Sequence, residues 1–348
     1  MNSRKKIIQF IVFLAIMLLT FYAVFRKQEL PEIWAAVTQM SWGYVMAALL
    51  LGLFFVSAEG IMMKYLFASM GEESNMRRCL LYSWVGFFYS GITPSATGGQ
   101  PMQLYYMKKD GHKASDATVI LMTMALVYKL VLVVAGIGIL ALWYQPLKSY
   151  MKGYMLFYFV GIFLNLGVVL IIIGVMLFPA ILIKCANVFD ALMIWLHIWK
   201  VNPDRQTKVQ GFVESYRHAV GFMIKHRIQL MVIIAITILQ RTSMLLLTYL
   251  VYCGFHLHGE GMGKIMVLQA AVYITVDMLP IPGAQGITEL VYKTVFSGIF
   301  TEFYLVPSMM VSRGMNFYIP LLICAVAAIW AAYGTSNQKV IYNMYKDK

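Results

Sequence analysis

The residues of this sequence that could do chemistry are charged side chains inside long apolar runs. A charge at the depth of a lipid bilayer is costly, so such a side chain is by default a candidate functional group. Lys129 and Arg241 each lie near the middle of an apolar run, too deep to reach an interface easily. We predict that they contact a substrate or form buried ion pairs, and Glu59 and Asp277 are the candidate partners of Lys129. Arg313 is the remaining candidate among the buried charges.

Simpler structural roles compete for some of the charged residues. Lys64 and Arg313 are long enough to extend their charges to a membrane interface from within their apolar runs. Glu289 and Lys293 are spaced i, i+4 in the favourable order, so a structural pair on one helix is the preferred interpretation for them.

Two polar segments that contain glycine and proline interrupt the apolar sequence, one at 91–101 and one at 279–286. Backbone at membrane depth needs hydrogen-bond partners, so a broken helix is tolerated there only against protein or a wet cavity. A pair of such interruptions in corresponding halves of a chain is typical of transporter binding sites. The helices that follow would point their positive N-termini at a bound anionic group such as a phosphate. The alternative is that these glycines and prolines only make turns between helices.

The predicted binding site for a polar lipid head group combines both segments with the deepest lysine and the glutamate that follows the second segment. Hydroxyl and amide side chains supply hydrogen bonds, and the glycines and prolines shape the turns. The residues of this predicted site are Thr93, Pro94, Ser95, Thr97, Gly98, Gly99 and Gln100 from the first segment, Pro280, Pro282, Gly283, Gln285 and Gly286 from the second, and Lys129 and Glu289.

The composition excludes an ordinary soluble domain. Hydrophobic residues make up 61% of the 348 residues, charged residues make up 12%, and the mean hydropathy is +0.73. Apolar runs of roughly 18 or more residues recur, long enough to cross ~30 Å of hydrocarbon. The first run, 7–25, lacks a clear cleavage site and is predicted to be a retained signal anchor. The sequence therefore predicts an all-α polytopic membrane protein.

The charge and the cysteines exclude several functional classes. A formal net charge of +13 would suit nucleic-acid binding, but Lys and Arg lie mostly between apolar runs and no long hydrophilic segment carries a basic face. The four cysteines are far apart and lack the spacing of metal ligands, so no metal site, disulfide framework or cofactor is predicted. The sequence contains no P-loop, nucleophile elbow or H-E-x-x-H motif, so no catalytic residue is assigned.

The distribution of charge predicts an inverted repeat. The positive-inside rule places both termini in the cytoplasm and makes the segments 79–107 and 263–301 each start and end on one side. Each segment is therefore predicted to be a re-entrant hairpin between two helices, in two units of opposite orientation. The spacing agrees, since the first proline of the first motif lies 51 residues after Gly43 and that of the second lies 52 residues after Ile228. The prediction is about six full spans plus two broken hairpins.

The connection 179–227 is predicted to lie in the cytoplasm, because it has seven Lys or Arg residues against three acidic ones. Within it, the stretch 181–199 alternates apolar residues with Lys184, Asn187 and Asp190. This pattern is typical of an amphipathic helix that lies on the inner leaflet, where basic neighbours attract anionic lipid.

The two motifs also carry a family resemblance over nearly the whole chain. They read Thr93-Pro94-Ser95-x-x-Gly98-Gly99 followed by Gly111, and Leu279-Pro280-x-Pro282-Gly283-x-x-Gly286-x-x-Glu289. With these motifs the chain resembles the membrane domain of the multiple peptide resistance factor, the family labelled lysylphosphatidylglycerol synthase transmembrane region. The resemblance implies a lipid flippase domain, which full-length members join to a soluble aminoacyl-tRNA-dependent transferase. The longest polar segment, 179–227, is far below the ~100–200 residues of a catalytic domain.

We therefore expect residues 1–348 to form one integral membrane domain with no soluble catalytic domain. The expected function is translocation of a polar-headed phospholipid, anionic or aminoacylated, such as lysylphosphatidylglycerol, between the leaflets of a bacterial cytoplasmic membrane. The alternatives are a phosphatidylglycerol lysyltransferase, or its membrane subunit, conferring resistance to cationic peptides, and a flippase for polyisoprenyl-phosphate-linked sugars. Expected partners are membrane lipids, and a separate soluble aminoacyltransferase, another lipid-modifying enzyme and a second copy of the chain are further candidates. No nucleic acid is expected.

Overall fold

The computed structural model of the chain describes residues 30–195 and 204–346, in which all regular secondary structure is helical. The predicted first span, 7–25, and the basic cluster before it lie outside these residues. The α-helices are α1 (Leu30–Thr38), α2 (Trp42–Ser69), α3 (Met76–Ile92), α4 (Gly99–Lys109), α5 (Ala114–Met151), α6 (Met155–Leu177), α7 (Ala180–Trp195), α8 (Asp204–Lys225), α9 (Arg227–Gly254), α10 (Met262–Val276), α11 (Ile287–Phe296), α12 (Glu302–Arg313) and α13 (Ile319–Lys346). The predicted all-α class is confirmed for the described residues.

Among the described residues, four helical stretches are long and apolar enough to cross a membrane. They are Trp42–Ser69, Ala114–Leu177, Arg227–Gly254 and Glu302–Ala332. The second is 64 residues long and contains α5 and α6, which pack against each other, so the chain doubles back within it. Pro146 lies inside α5, where it cannot donate a helical hydrogen bond, and the helix is kinked nearby at Trp143. The predicted six spans and the re-entry of the hairpins stay predictions.

The helices α2 and α9 form an antiparallel pair at the centre of the fold. The backbone N–H of Ser41, before α2, donates to the carbonyl oxygen of Gly254 at the end of α9, at 3.3 Å. Further along the pair, the side-chain amide of Gln240 donates to the carbonyl oxygen of Phe55 at 2.7 Å. The start of α2 therefore lies beside the end of α9.

The first hairpin consists of α3 and α4, which pack against each other. The start of α3 lies beside the end of α4. Asp110, directly after α4, accepts a hydrogen bond from the Tyr82 hydroxyl at 2.5 Å and lies 3.7 Å from the Arg78 guanidinium. The imidazole of His112 lies 2.8 Å from the Glu72 carboxylate, in the connection that follows α2. Both ends of this hairpin therefore lie at the C-terminal end of α2.

The second hairpin consists of α10 and α11, and its ends lie at the C-terminal end of α9. The hydroxyl of Tyr252, near the end of α9, accepts from the backbone N–H of Glu260, just before α10. The same tyrosine packs edge-on against Phe300, which follows α11, with ring centroids 5.6 Å apart. Because α2 and α9 are antiparallel, the two hairpins open at opposite ends of this helix pair.

The apolar core has two parts, one around each hairpin. Phe67 and Phe88 are buried in the part that packs around α3 and α4. Tyr292 and Phe296 are buried in the part that packs around α10 and α11. Each hairpin thus packs one face against apolar side chains of neighbouring helices.

A close approach between α6 and α10 gives a stability prediction. A Cβ atom at Gly161 would collide with the carbonyl oxygen of Ile274, a backbone atom that cannot rotate away. Gly161→Ala is therefore expected to lower the free energy of unfolding by about 1–3 kcal/mol, measured by denaturation in detergent micelles. Gly167 of the same helix has no atom within 4 Å of such a Cβ. Gly167→Ala is the matched control and should leave stability unchanged or raise it by up to about 1 kcal/mol; equal losses in both variants would contradict the packing.

Candidate functional site

The two interrupted segments form short turns that touch each other. The first tip is the 3-10 turn Pro94–Ala96 between α3 and α4, and the second tip is the 3-10 turn Pro282–Ala284 between α10 and α11. The two tips contact each other, and the second tip also contacts α3. Ser95, Ala96 and Ala284 have φ values of 50°, 55° and 50°, which are uncommon for residues other than glycine and cluster at functional sites. The structure therefore brings the two predicted motifs together.

The first tip is held by hydroxyl groups of the threonines on either side of it. The Thr93 hydroxyl donates to the carbonyl oxygen of Tyr89 at 2.6 Å and accepts from the Gly98 N–H at 2.9 Å. The Thr97 hydroxyl donates to the carbonyl oxygen of Pro94 at 3.0 Å. Both threonines predicted to contact a ligand thus bind the turn itself, while Gln100 is exposed in the first turn of α4.

A glycine contact brings α4 close enough to α3 to reach a buried carboxylate. Gly86 has no side chain, and a Cβ there would collide with the side chain of Gln103 on α4. Gln103 is 2% exposed, and its amide donates to Glu59 of α2 at 3.1 Å. The Ser83 hydroxyl of α3 donates to the carbonyl oxygen of Val56 on α2 and lies 3.5 Å from the same carboxylate. Both helices of the first hairpin therefore contact α2 at or beside Glu59.

Lys129 forms a largely buried ion pair with Asp277, directly after α10. Its ammonium group lies 2.5 Å from the carboxylate of Asp277, and both side chains are 14% exposed. The hydroxyl of Tyr128 donates to the same carboxylate. Of the two partners that the sequence allowed, Asp277 is the one that pairs with Lys129, whereas Glu59 accepts from the Gln103 amide.

Arg241 approaches the same tyrosine from α9. Its guanidinium carbon lies 3.6 Å from the ring centroid of Tyr128 and 4.8 Å from that of Phe55. Within the described part of the chain it forms no ion pair, and its Nε is buried without a hydrogen-bond partner. A cation on aromatic faces is partly stabilised by the ring electrons. We call Tyr128, Lys129, Arg241 and Asp277 the inner charge cluster, since Tyr128 joins the other three.

Arg313 fixes the second tip through a second buried ion pair. It is 7% exposed, lies 3.1 Å from the Glu289 carboxylate of α11 and donates to the carbonyl oxygen of Gly283 at 3.0 Å. Tyr318 adds a hydroxyl donor to Glu289 at 3.3 Å. Arg313 is thus a buried charge, as predicted, so one competing alternative is excluded and one preferred interpretation is wrong. Arg313 does not extend to an interface, and Glu289 pairs with Arg313 of α12 instead of with Lys293, because α12 brings a cation into its buried surroundings.

The second tip has a shape that only small residues allow and polar atoms that nothing satisfies. A side chain at Gly283 would meet the ring of Phe317, and Gly286 adopts φ 80° before α11 begins. The amide nitrogen of Gln285 and one oxygen of Glu289 are buried without hydrogen-bond partners. A buried polar atom without a hydrogen bond costs about 1–3 kcal/mol. These two atoms are therefore suited to bind water or the polar group of a ligand.

Sequence reasoning missed the neutral side chains that complete these contacts. Hydrogen bonds go from Tyr128 to Asp277, from Gln103 to Glu59 and from Tyr318 to Glu289. The available signal was the position of polar residues within apolar helices, such as a tyrosine directly before Lys129. Their partners depend on which helices pack together.

Most of this chain matches a known protein family. The model of the family described as Lysylphosphatidylglycerol synthase TM region matches residues 7–324. The chain belongs to this family. A search of curated proteins gave no match. As a member of the lysylphosphatidylglycerol synthase TM region family, with its long apolar helices, the chain is a multi-pass membrane protein whose function concerns membrane lipids. The resemblance drawn from the two motifs is confirmed.

Proposed function

We propose that this protein moves a phospholipid with a polar head group between the two leaflets of its membrane, and that the head group passes the place where the two tips meet. The observation that carries the proposal is the contact between two broken-helix turns beside two buried ion pairs. Ionisable groups at bilayer depth are costly, so their presence there indicates a function. The apolar outer surface leaves the acyl chains in the bilayer.

The chemistry at the tips suits a head group that carries both charges. A phosphate would take hydrogen bonds from the N-terminal ends of α4 and α11, from Gln100 and Gln285, and from the ammonium of Lys129. An aminoacyl ammonium group would pair with Asp277 or Glu289. An aminoacylated phospholipid such as lysylphosphatidylglycerol therefore finds an opposite charge for each of its own.

A leaflet-exchange assay tests this proposal. The purified full chain is reconstituted into vesicles with head-group-labelled phosphatidylglycerol, lysylphosphatidylglycerol, phosphatidylcholine or a polyisoprenyl phosphate, and the labels exposed outside are reduced chemically. We expect inner-leaflet labels of the first two lipids to become accessible faster than in protein-free vesicles. Equal rates with and without protein for every lipid would contradict the proposal, and acceleration of the polyisoprenyl phosphate alone would reassign the substrate.

We further propose that the hairpins enter the membrane from opposite faces, with both termini in the cytoplasm of a bacterium and with a separate soluble aminoacyltransferase as supplier of the lipid. The opposite ends at which the two hairpins open support this orientation. Cells expressing single-cysteine variants without the native cysteines test it with an impermeant thiol reagent. Arg78→Cys and Lys109→Cys should react only from the cytoplasm, and Gly261→Cys and Glu302→Cys only from outside. Reaction of the first two from opposite sides would mean that 79–107 crosses the membrane.

A further inference from the structure

An open cavity lined by basic residues and one acidic residue lies along one face of α8, in the connection between the two hairpin units. Its volume is about 490 Å³. None of its lining residues belongs to either tip or to the inner charge cluster. The described residues that line it are Glu214, Arg217, His218, Gly221, Phe222, Lys225 and His226.

The two faces of α8 explain why the cavity is polar. Tyr216, Val220 and Met223 are buried at helical spacing, and the Tyr216 hydroxyl reaches the sulfur of Met122 on α5 at 3.4 Å. The opposite face turns Arg217 and Lys225 outward, and both are exposed. The apolar face holds α8 against the helical bundle, so the basic face is presented from a fixed position.

The cavity lies where a candidate span begins. His226 lines it, and Arg227 is the first residue of the candidate span Arg227–Gly254. Ile224 and Ile228 beside it are 52% and 70% exposed. A cationic cavity bordered by exposed apolar side chains at the end of a span matches the boundary between phosphate head groups and acyl chains.

The wall of the cavity contains a fixed aromatic pair. The rings of Phe222 and His226 stack with centroids 3.8 Å apart. Nδ1 of the imidazole lies 2.8 Å from the carbonyl oxygen of Phe222, which sets the orientation of the ring. Because Nδ1 donates to a carbonyl oxygen, Nε2 of the neutral imidazole is an acceptor, so the contacts to an anion fall to the basic side chains beside this pair.

We propose that this cavity binds the phosphate of an anionic phospholipid such as phosphatidylglycerol, at the membrane surface where α9 begins. Arg217 and Lys225 attract the phosphate, and Ile224 and Ile228 contact the upper part of the acyl chains. The site would anchor the connection to an anionic leaflet. It is independent of the proposed translocation, because it shares no residue with the tips.

Hydrogen exchange of peptides covering 204–226 tests the proposal with a readout confined to this site. The full chain is placed in nanodiscs of phosphatidylcholine, with or without phosphatidylglycerol. We expect phosphatidylglycerol to slow exchange in these peptides about 30-fold, since two basic residues are attracted to the anionic surface. The double variant Arg217→Gln, Lys225→Gln should lose this difference. The matched control Lys148→Gln, Lys152→Gln removes two exposed charges elsewhere and should keep it.

Three results would overturn the proposal. The double variant keeps the protection, the control loses it equally, or inorganic phosphate added to phosphatidylcholine nanodiscs protects α8 as well as phosphatidylglycerol does. The last result would assign the cavity to a soluble phosphate. Lipid translocation measured in parallel reports on the tips, so a failure here and a failure of the proposed function are distinguishable.

Discussion

Replacing Arg313 with methionine is expected to lower the free energy of unfolding by about 3–5 kcal/mol, because it leaves a buried carboxylate without its partner. Arg313 is 7% exposed and holds both Glu289 and the carbonyl oxygen of Gly283. Its loss removes the contact that fixes the second tip to α12. The change in the free energy of unfolding is measured by denaturing the purified protein in detergent micelles and monitoring its circular dichroism.

Two variants show whether the orphaned charge is the cause. Adding Glu289→Gln to Arg313→Met removes that charge and is expected to recover a large part of the stability. Lys293→Met removes a cation one helical turn from Glu289 and is expected to cost less than about 0.5 kcal/mol. A Lys293→Met variant as unstable as Arg313→Met would mean that Glu289 depends on its own helix, and the assignment of its partner would be wrong.

Lys129→Met is expected to abolish most lipid translocation. An uncompensated charge at bilayer depth costs at least about 2.5–3.5 kcal/mol on insertion scales, which corresponds to a roughly 100-fold slower passage of an anionic head group. The same change also leaves Asp277 with only the Tyr128 hydroxyl, so some loss of stability is expected too. Initial rates in the leaflet-exchange assay, normalised to folded protein, measure the transport effect.

The double variant Lys129→Met, Asp277→Asn separates transport from stability. It removes both charges, so it should be about as stable as the natural protein and still fail to move lipid. Lys129→Arg keeps the charge and should keep part of the rate, and Lys64→Met, at an exposed position of α2, is the control that should transport normally. Normal transport by the double variant would remove Lys129 from the translocation path.

The sequence predicted those parts of this site that follow from the free-energy cost of burying a single charge or of placing a single proline within a helix. Lys129 and Asp277 were candidate partners because each is a charge in an apolar run, and burial of such charges requires compensation wherever the helices pack. The tips were predictable for a similar reason, since Pro94, Pro280 and Pro282 cannot continue a helix.

The remaining contacts depend on tertiary packing that spacing does not encode. Glu289 has a favourable local partner in Lys293, and only the approach of α12 makes Arg313 the closer cation. The role of Tyr128 as a link between Asp277 and Arg241 likewise requires three helices to meet. Hydrophobic periodicity cannot identify such contacts between helices, because lipid-facing and protein-facing residues are equally apolar in a membrane.

Crosslinking of a lipid head group to single cysteines tests most directly whether a head group enters the protein. A radioactive phosphatidylglycerol with a thiol-reactive group on its head group is reconstituted with variants that lack the native cysteines and carry one cysteine at Gln100, Gln285 or Phe163. Phe163 is 73% exposed near the middle of α6, where only acyl chains should be present. We expect labelling at Gln100 and Gln285 well above that at Phe163, and its reduction by Lys129→Met. Labelling at the tips no greater than at Phe163 would contradict the account.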